Sequence, residues 1–539
     1  MPQRTSRTAS ATSAWPAEAA PTTSGSLPVE TPHAPRLLLR PGDADGAPMA
    51  VVPPWAADLR LDELATALGP GAVGEARLAI LLTPLAAPDA VAYRQEVFRD
   101  LELDAVGGAL RRFGSALAEV RAILERAGRM RHPAERDRWV LDALERHDDA
   151  VEELAASLAT APLHARGLTA VRDHLATLTG SPSFSQRRSD VAAARQALDR
   201  VAVRLRIVQQ QVLVSPARDE PDLAEEIRDT FARIREGDPA PVRVDVFSTL
   251  DMNPLEAQVL ERVRRLVPEP FARLASTVAA RQPVIEPSLA RIADDAAWYL
   301  AILDLLAPLR AAGLDCGYPE LTDDGSLAAA GLFDLVLARR LVADGRDVVP
   351  SDVSVGPRER RVVVTGPSQG GRTSFVRALG QLHVLAAAGC PVPAGSASVP
   401  LVDSVRTVFD RPERLDDPGG RLRGELRRIR GLLAAATPAT LVVANEAFAS
   451  TTAEDALALS RRLLDALGER GARSVAVTFL EELAEDPGTV SIAATVDPVD
   501  PTARTYRFTR RPADGLAHAQ TLAAHYGLGA DAVRARIRR

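Results

Sequence analysis

Apolar positions that recur at steps of three and four dominate the chain up to about residue 340. One such seam comprises Leu103, Val106, Leu110, Phe113, Leu117, Val120 and Leu124. A second repeats at seven, with two valines in complementary positions: Val191, Leu198, Leu205 and Val212, with Val201 and Val208. Because this spacing places side chains on one helix face, both seams predict long amphipathic helices. Further helices are predicted at 133–160, 254–280 and 286–312.

Beyond that point the pattern changes to short β-branched runs that alternate with helical stretches. The runs lie at 361–365, 441–444 and 474–478. Runs that are apolar along their whole length and separated by helices are typical of parallel strands buried on both faces. The sequence therefore predicts a mixed fold, in which an all-α core or lever region is followed by an α/β domain.

These patterns divide the chain into four parts. Residues 1–50 are rich in Ala, Pro, Ser and Thr without apolar periodicity, and they are predicted to be a disordered tail. The helical core or lever domain is predicted at 51–340 and the α/β domain at 341–525. Residues 526–539 are predicted to be the basic end of a C-terminal helix.

Composition limits which cellular compartment and which classes of partner are expected for the chain. The net charge of -6 argues against a generally basic nucleic-acid coat, although a local basic groove is compatible with it. Cys316 and Cys390 are too few for a disulfide framework and suggest no metal site, which favours the reducing cytoplasm. No apolar run reaches the length of a membrane span, so no membrane partner is expected. The chain contains no lysine, and all 65 basic residues are arginine.

The turn after the first apolar run has the spacing of a phosphate-binding loop: Gly, four residues, Gly, a basic residue and Thr. The residues predicted to bind nucleotide are Gly366, Pro367, Ser368, Gln369, Gly370, Gly371, Arg372, Thr373 and Ser374. Glycines let the backbone wrap closely around phosphates, and the Thr373 hydroxyl is expected to ligate Mg²⁺. An ordinary glycine-rich turn is the alternative. The preceding strand, the spacing and the hydroxyl together favour binding of ATP with Mg²⁺.

Asn445 and Glu446 end the second apolar run, where P-loop NTPases carry Asp and Glu. The first residue normally orients the water on the metal, and the second polarises the attacking water. Asn445 is therefore a predicted metal-site residue and Glu446 the predicted catalytic residue. A solvated carboxylate is the alternative for Glu446, but the carboxyl edge of a parallel sheet favours catalysis.

The segment Thr365–Ser374 resembles the P-loop of the MutS family, T-G-P-N-x-G-G-K-[ST]-T. Other stretches that resemble family motifs are 82–85, 93–100, 392–403, 445–455 and 474–483. The resemblance covers roughly residues 58–525. It implies an ABC-type ATPase domain that dimerises with a second copy and helical arms that embrace DNA.

Four positions depart from the family pattern. Arg372 replaces lysine, Asn445 replaces aspartate, and Phe479 replaces the histidine at the end of the third strand. Gly420 stands where the family has the serine that reaches the partner's γ-phosphate. Arg372 has the clearest consequence, because a planar guanidinium is not equivalent to a compact ammonium. These departures predict weak or slow hydrolysis.

Two further expectations concern DNA. The predicted tail occupies the place where the family has its mismatch-reading domain, so no mismatch specificity is expected. No Smr-type nuclease tail of the kind found on some relatives is expected either. The arginines of 421–430 have two interpretations. They contact phosphates, or they form a solvated helix face paired with Asp416, Asp417 and Glu425. The solvated face is favoured, since most charge runs are of that kind.

The leading hypothesis is a cytoplasmic, MutS-like protein of DNA mismatch repair or recombination that binds ATP and couples it to helical arms. The alternative is a nucleotide-responsive scaffold with negligible ATPase activity that recruits a protein partner. The feature that discriminates between these two hypotheses is the set of four departures from the family pattern, at residues 372, 420, 445 and 479. An SMC-like ATPase is excluded because its two ATPase halves lie at opposite chain ends, whereas here they are contiguous.

Overall fold

A computed structural model describes residues 35–40, 51–209, 211–217, 252–367, 369–410, 420–496, 504–513 and 534. Most of the predicted tail and, apart from Arg534, the predicted C-terminal helix end therefore lie outside the described residues. None of the described helices is both long and apolar enough to cross a membrane.

Helices dominate the chain as far as residue 311. They are α1 (Pro54–Asp58), α2 (Ala65–Leu68), α3 (Gly71–Leu82), α4 (Pro88–Leu101), α5 (Asp104–Arg129), α6 (Pro133–Thr160), α7 (Arg166–Thr179), α8 (Pro182–Asp199), α9 (Pro254–Leu266), α10 (Pro268–Ala279) and α11 (Pro287–Ala311). A 3₁₀ turn at Leu61–Leu64 precedes α2. The longest of these, α5 and α6, lie against each other.

The first predicted seam is confirmed in α5. Val106, Leu110, Phe113, Leu117 and Val120 are all buried, because their steps of three and four keep them on the face that packs against neighbouring helices.

The prediction of one long helix through the second seam is wrong. Helix α8 ends at Asp199, and β1 (Val203–Val208) and β2 (Gln211–Pro216) follow as an antiparallel hairpin. Leu205 pairs with Val214 in this hairpin. The segment is rich in valine and isoleucine, whose branched side chains are restricted in a helix and pack well on strands. The helical region is therefore not all-α.

The mixed helix and sheet fold is confirmed, with two further sheets. The remaining elements are β3 (Glu320–Thr322), β4 (Leu327–Leu332), α12 (Leu335–Ala343), β5 (Ser351–Val355), β6 (Arg361–Thr365), α13 (Arg372–Ala387), β7 (Ser396–Pro400), β8 (Ser404–Phe409), α14 (Gly420–Ala435), β9 (Thr440–Asn445), α15 (Ala453–Glu469), β10 (Arg473–Val477), β11 (Thr489–Val496) and β12 (Arg504–Arg510). A 3₁₀ turn at Glu481–Ala484 lies between β10 and β11.

The larger sheet has the order β12-β11-β6-β10-β9-β8. Its strands are parallel except β12, which runs antiparallel to β11 at the edge. The three predicted apolar runs are β6, β9 and β10, neighbours in this sheet. Their carboxyl ends therefore meet at one edge, as expected for a nucleotide site in an open parallel sheet.

The smaller sheet has the order β3-β7-β4-β5. It begins at Glu320, before the domain boundary that the sequence predicts at 341. Strand β4 reads Leu-Ala-Ala-Ala-Gly-Leu. Alanine and glycine are poor indicators of a strand, which explains why the pattern did not predict it.

Residues 35–40, inside the predicted tail, pack into the core. Leu37 is fully buried. The Asp295 carboxylate accepts hydrogen bonds from the backbone N–H of Leu37 at 3.0 Å and of Leu38 at 3.3 Å. The Tyr299 hydroxyl donates to the Leu37 carbonyl at 2.5 Å. These partners satisfy the backbone of a buried segment that has no secondary structure.

Helix α13 begins at the phosphate loop and extends into the core, where it meets the helical region. Gln381 donates to the Leu59 carbonyl at 2.9 Å, and Arg94 of α4 donates to the Ala388 carbonyl at the end of α13 at 2.9 Å. His383 is buried on the same helix and donates through Nδ1 to the Leu379 carbonyl at 2.9 Å. Burial lowers the pKa of His383 to about 4.

The low pKa of His383 predicts an acid sensitivity of the fold. The unfolded chain takes up a proton on this side chain near pH 6.5, whereas the folded chain resists it down to about pH 4, so stability is lost as the pH falls through that window. The loss by pH 5 is about 2 kcal/mol. Urea unfolding of wild type and His383→Leu at pH 7 and pH 5 checks this. An equal pH dependence in both proteins would contradict it.

Candidate nucleotide-binding site

The loop between β6 and α13 has a backbone that favours glycine at two positions. Gly366 and Gly371 have φ of 125° and 86°, and Gln369 between them has φ of 63°. A Cβ on Gly366 would lie 2.7 Å from the Cβ of Ala494 in β11, so a side chain does not fit there. This conformation brings the loop backbone close to the sheet and aims it toward the amino end of α13, the arrangement that binds phosphates.

Arg372 is the first residue of α13, and its guanidinium is buried at the edge of the sheet with 9% of the side chain exposed. Nη1 donates to the Thr478 carbonyl at 2.9 Å, just beyond β10. Nη2 donates to the Glu446 carboxylate at 3.0 Å, just beyond β9. Burial lowers the pKa of Arg372, and the charge of Glu446 opposes that shift. The guanidinium thus bridges the ends of two strands.

Thr373 and Asn445 form the second contact across this edge. The Thr373 hydroxyl donates to the Asn445 side-chain oxygen at 3.0 Å. Both groups offer neutral oxygen atoms of the kind that bind Mg²⁺, so the pair fits a magnesium site beside the phosphates. The pair contains no carboxylate, because Asn445 stands where P-loop NTPases carry aspartate.

Glu446 has a backbone with φ of 52°, unusual for a non-glycine residue. Its N–H donates to the Val477 carbonyl at 2.9 Å, which fixes it beside β10. Its side chain is 37% exposed. The predicted catalytic carboxylate therefore reaches solvent on one side and Arg372 on the other.

A cavity of about 690 Å³ opens beside these residues. Its polar lining residues are Asp334, Arg346, Asp347, Ser351, Gln369, Arg372, Thr373, Ser374 and Glu446, and Gly371 also lines it. Its apolar lining residues include Ala338, Leu341, Val348, Val349, Phe375, Tyr506 and Phe508. A cavity lined by both kinds of residue suits a ligand that carries both phosphates and a base.

The aromatic part of this wall was not predicted from the sequence. The rings of Phe375 and Phe508 stack with centroids 4.3 Å apart and an angle of 15° between the planes. Tyr506 lies on the same edge strand, β12, and lines the same cavity. No motif spacing marks β12, since its place beside the loop depends on its pairing with β11.

The other predicted site residues differ in their placement. The Gly370 N–H donates to the Pro367 carbonyl at 3.1 Å, which closes the loop. Phe479 follows β10 with 54% of its surface exposed and is not among the residues that line the cavity. Gly420 begins α14, and a Cβ there would meet no described atom within 4 Å. Ser368 lies outside the described residues.

Helix α14 carries the predicted arginine face. The exposed arginines are Arg421, Arg423, Arg427, Arg428 and Arg430. Arg421 pairs with Asp410. The expected pairing with Glu425 is wrong: Glu425 is buried, and its carboxylate accepts a hydrogen bond from the Phe448 N–H at 3.0 Å. The other expected partners, Asp416 and Asp417, lie outside the described residues.

Comparisons with known proteins match this site. The family model for MutS domain V matches residues 362–520, which include the end of the phosphate loop's strand, Arg372, Glu446 and β12. An Endonuclease MutS2 of Anaeromyxobacter sp. is 34% identical over 193 residues, 34% of this chain and 24% of that protein. Over the region 362–520 the chain is therefore similar to MutS domain V.

Two further proteins show a comparable similarity. An Endonuclease MutS2 of Thermomicrobium roseum is 29% identical over 309 residues, 54% of this chain and 37% of that protein. A DNA mismatch repair protein MutS of Chlorobium phaeovibrioides is 28% identical over 244 residues, 44% of this chain and 27% of that protein. The chain thus aligns with well under half the length of each of these three relatives.

The close approach of Gly366 to Ala494 yields a stability prediction. Gly366→Ala should lower the free energy of unfolding by about 2 kcal/mol or more, because the new Cβ collides with β11 and the backbone has a positive φ. Thermal and urea unfolding measure it. Gly431→Ala is the control: no described atom lies within 4 Å of its Cβ position in α14, so it should stabilise by about 0.5–1 kcal/mol. Equal stabilities for both variants would contradict the account.

Proposed function

We propose that this chain is a cytoplasmic, MutS-type, DNA-handling protein that binds Mg·ATP, hydrolyses it slowly and couples the bound nucleotide to its helices. The observation that carries the proposal is the contact of Arg372 with Glu446 at the end of the phosphate loop. It brings a residue of the loop and the predicted catalytic carboxylate together in one site.

Each group has a role that follows from its chemistry. The loop N–H groups and the amino end of α13 offer partial positive charge to the phosphates. Thr373 and Asn445 would hold Mg²⁺, which neutralises charge on the β- and γ-phosphates when it is bound. Glu446 has a free carboxylate face toward solvent, where it would polarise the attacking water.

The same geometry supports slow turnover. Arg372 directs its guanidinium to the Thr478 carbonyl and to Glu446, across the end of the sheet. The guanidinium therefore has to break its hydrogen bonds to both acceptors before it can contact a phosphate. One carboxylate oxygen of Glu446 is meanwhile engaged by Arg372, so the carboxylate is partly occupied before it orients a water. Catalysis of phosphoryl transfer depends on positioning and charge, so these contacts should depress turnover more than binding.

Helix α13 supports the proposed coupling to the helical region. Beyond Arg372 it contacts the end of α1 and the residue after it: Arg377 donates to the Asp58 carbonyl at 2.9 Å, and Gln381 donates to the Leu59 carbonyl at 2.9 Å. A shift of the first turn of α13 on nucleotide binding would move these contacts. Helices α5 and α6 have 26 and 28 residues, about 40 Å each, long enough to carry a displacement to a distant surface.

The partners are proposed from the relatives. One relative is named a DNA mismatch repair protein and others an endonuclease, so we infer that this chain also acts on DNA. Dimerisation of two copies through their ATPase domains is proposed on the same basis. Mismatch specificity is not part of the proposal.

The scaffold hypothesis is the second candidate. It is favoured by the neutral amide at Asn445 and by the Arg372–Glu446 pair, both of which reduce hydrolysis without removing the phosphate loop. On this alternative, turnover is negligible and the bound nucleotide alone controls a protein partner. The rate of hydrolysis under single-turnover conditions distinguishes the two.

The departures predict that turnover can be partly restored. Arg372→Lys with Asn445→Asp should raise the rate of ATP hydrolysis about tenfold or more, because an ammonium is compact enough to enter the loop and a carboxylate returns negative charge beside Mg²⁺. Affinity for ATP should change much less. Single-turnover hydrolysis and calorimetry measure the two quantities.

Arg470→Lys is the matched control for that experiment. Its guanidinium donates only to the Leu433 and Ala466 carbonyls among its described hydrogen bonds, away from the cavity. It introduces a lysine without touching the site and should leave turnover unchanged. A fast wild-type enzyme whose rate falls in the double variant would show that the site has adapted to arginine, and this account of slow turnover would be wrong.

A further inference from the structure

Tyr506 has a conformation that ordinary strand residues avoid. Its φ is 57°, within a strand, and 49% of its surface is exposed. Left-handed backbone costs an aromatic residue conformational energy, and such strain is concentrated at sites of binding and catalysis. A half-exposed ring gains too little from packing to explain this strain.

The strain coincides with an irregularity in the sheet. Strands β11 and β12 pair regularly up to Ala494 opposite Phe508, and the register shifts before Val496 pairs with Arg504. Tyr506 lies between those two positions on β12. A shift of register re-aims a side chain, and bulges of this kind occur next to functional sites.

The ring is aimed at the phosphate loop. Its Cδ1 lies 3.3 Å from the position that a Cβ on Gly371 would take. It shares the cavity of about 690 Å³ with Arg372 and Thr373, while Phe508, two residues further along β12, stacks on Phe375. The exposed ring therefore stands beside the place proposed for the phosphates, in a cavity that apolar residues also line.

We propose that the ring of Tyr506 is the surface on which the base of a purine nucleoside triphosphate stacks. This rests on the proposed nucleotide binding at the loop. An exposed aromatic face contributes by stacking with a flat base, and a purine offers a larger π-face than a pyrimidine. Val348 and Val349, which line the same cavity, offer apolar contact to the rest of the base.

The melting temperature of Tyr506 variants distinguishes a purely structural role of the ring from a role in binding. If the ring only packs over Gly371, replacing it with a residue that accepts a positive φ loses packing and lowers the melting temperature. If the ring is kept for binding, Tyr506→Gly relieves strain, so the melting temperature holds or rises while nucleotide affinity falls. Tyr506→Asn, which also tolerates this backbone, is the second variant.

The experiment is calorimetry of the full chain with Mg·ATP, Mg·CTP and Mg·tripolyphosphate, on wild type, Tyr506→Phe, Tyr506→Gly and Tyr506→Asn. Wild type and Tyr506→Phe should bind Mg·ATP tightly and more tightly than Mg·CTP. The Gly and Asn variants should lose tenfold or more in ATP affinity, with unchanged tripolyphosphate affinity and no fall in melting temperature.

Three results overturn the proposal. They are unchanged ATP affinity in the Gly and Asn variants, an equal loss of ATP and tripolyphosphate, and equal wild-type affinity for ATP and CTP. The first leaves nucleotide binding at the loop intact and removes only the role of Tyr506. A wild-type chain that binds neither ATP nor tripolyphosphate overturns the proposed function as well.

Discussion

A guanidinium that is nine-tenths buried at the end of a sheet requires partners, because an unpaired charge there would cost several kcal/mol. Arg372 finds them in the Thr478 carbonyl and the Glu446 carboxylate. These contacts join α13 to the ends of β9 and β10 and fix Glu446, the predicted catalytic residue, beside Arg372. On the proposed function, the pair that stabilises the site would also limit its chemistry, since a phosphate would have to compete with Glu446 for Arg372.

Helix α13 extends this constraint through the molecule. Its first residue belongs to the phosphate loop, its middle is buried in the core around His383, and its end accepts a hydrogen bond from Arg94 of α4. Arg94 also donates to the Leu38 carbonyl at 3.1 Å, so the segment at 35–40 is fixed to the same junction. A helix held at both ends by buried polar contacts moves as a unit. This is the physical basis on which we propose that nucleotide binding reaches the helical region.

Local motifs identified residues that lie together at one edge of the sheet, whereas periodicity misassigned one segment of the fold. The phosphate loop and Asn445–Glu446 were found because their chemistry requires fixed residue types at fixed spacing. The heptad through Val212 failed because β-branched residues at a spacing of seven also occur in a hairpin. Tyr506 and the burial of Leu37 were missed for a different reason. Their partners are distant in sequence, as Asp295 is from Leu37. Contacts between residues so far apart along the chain leave no periodic pattern in the sequence.

The most direct test of the Arg372–Glu446 constraint is the equilibrium affinity of Glu446→Gln for Mg·ATP, measured by calorimetry beside wild type. The substitution keeps the shape of the side chain, removes its charge and prevents hydrolysis during the titration. If Glu446 competes with phosphates for Arg372, the variant binds ATP about tenfold more tightly than wild type. Equal or weaker binding by the variant would show that the ion pair does not restrain Arg372 and would contradict the account.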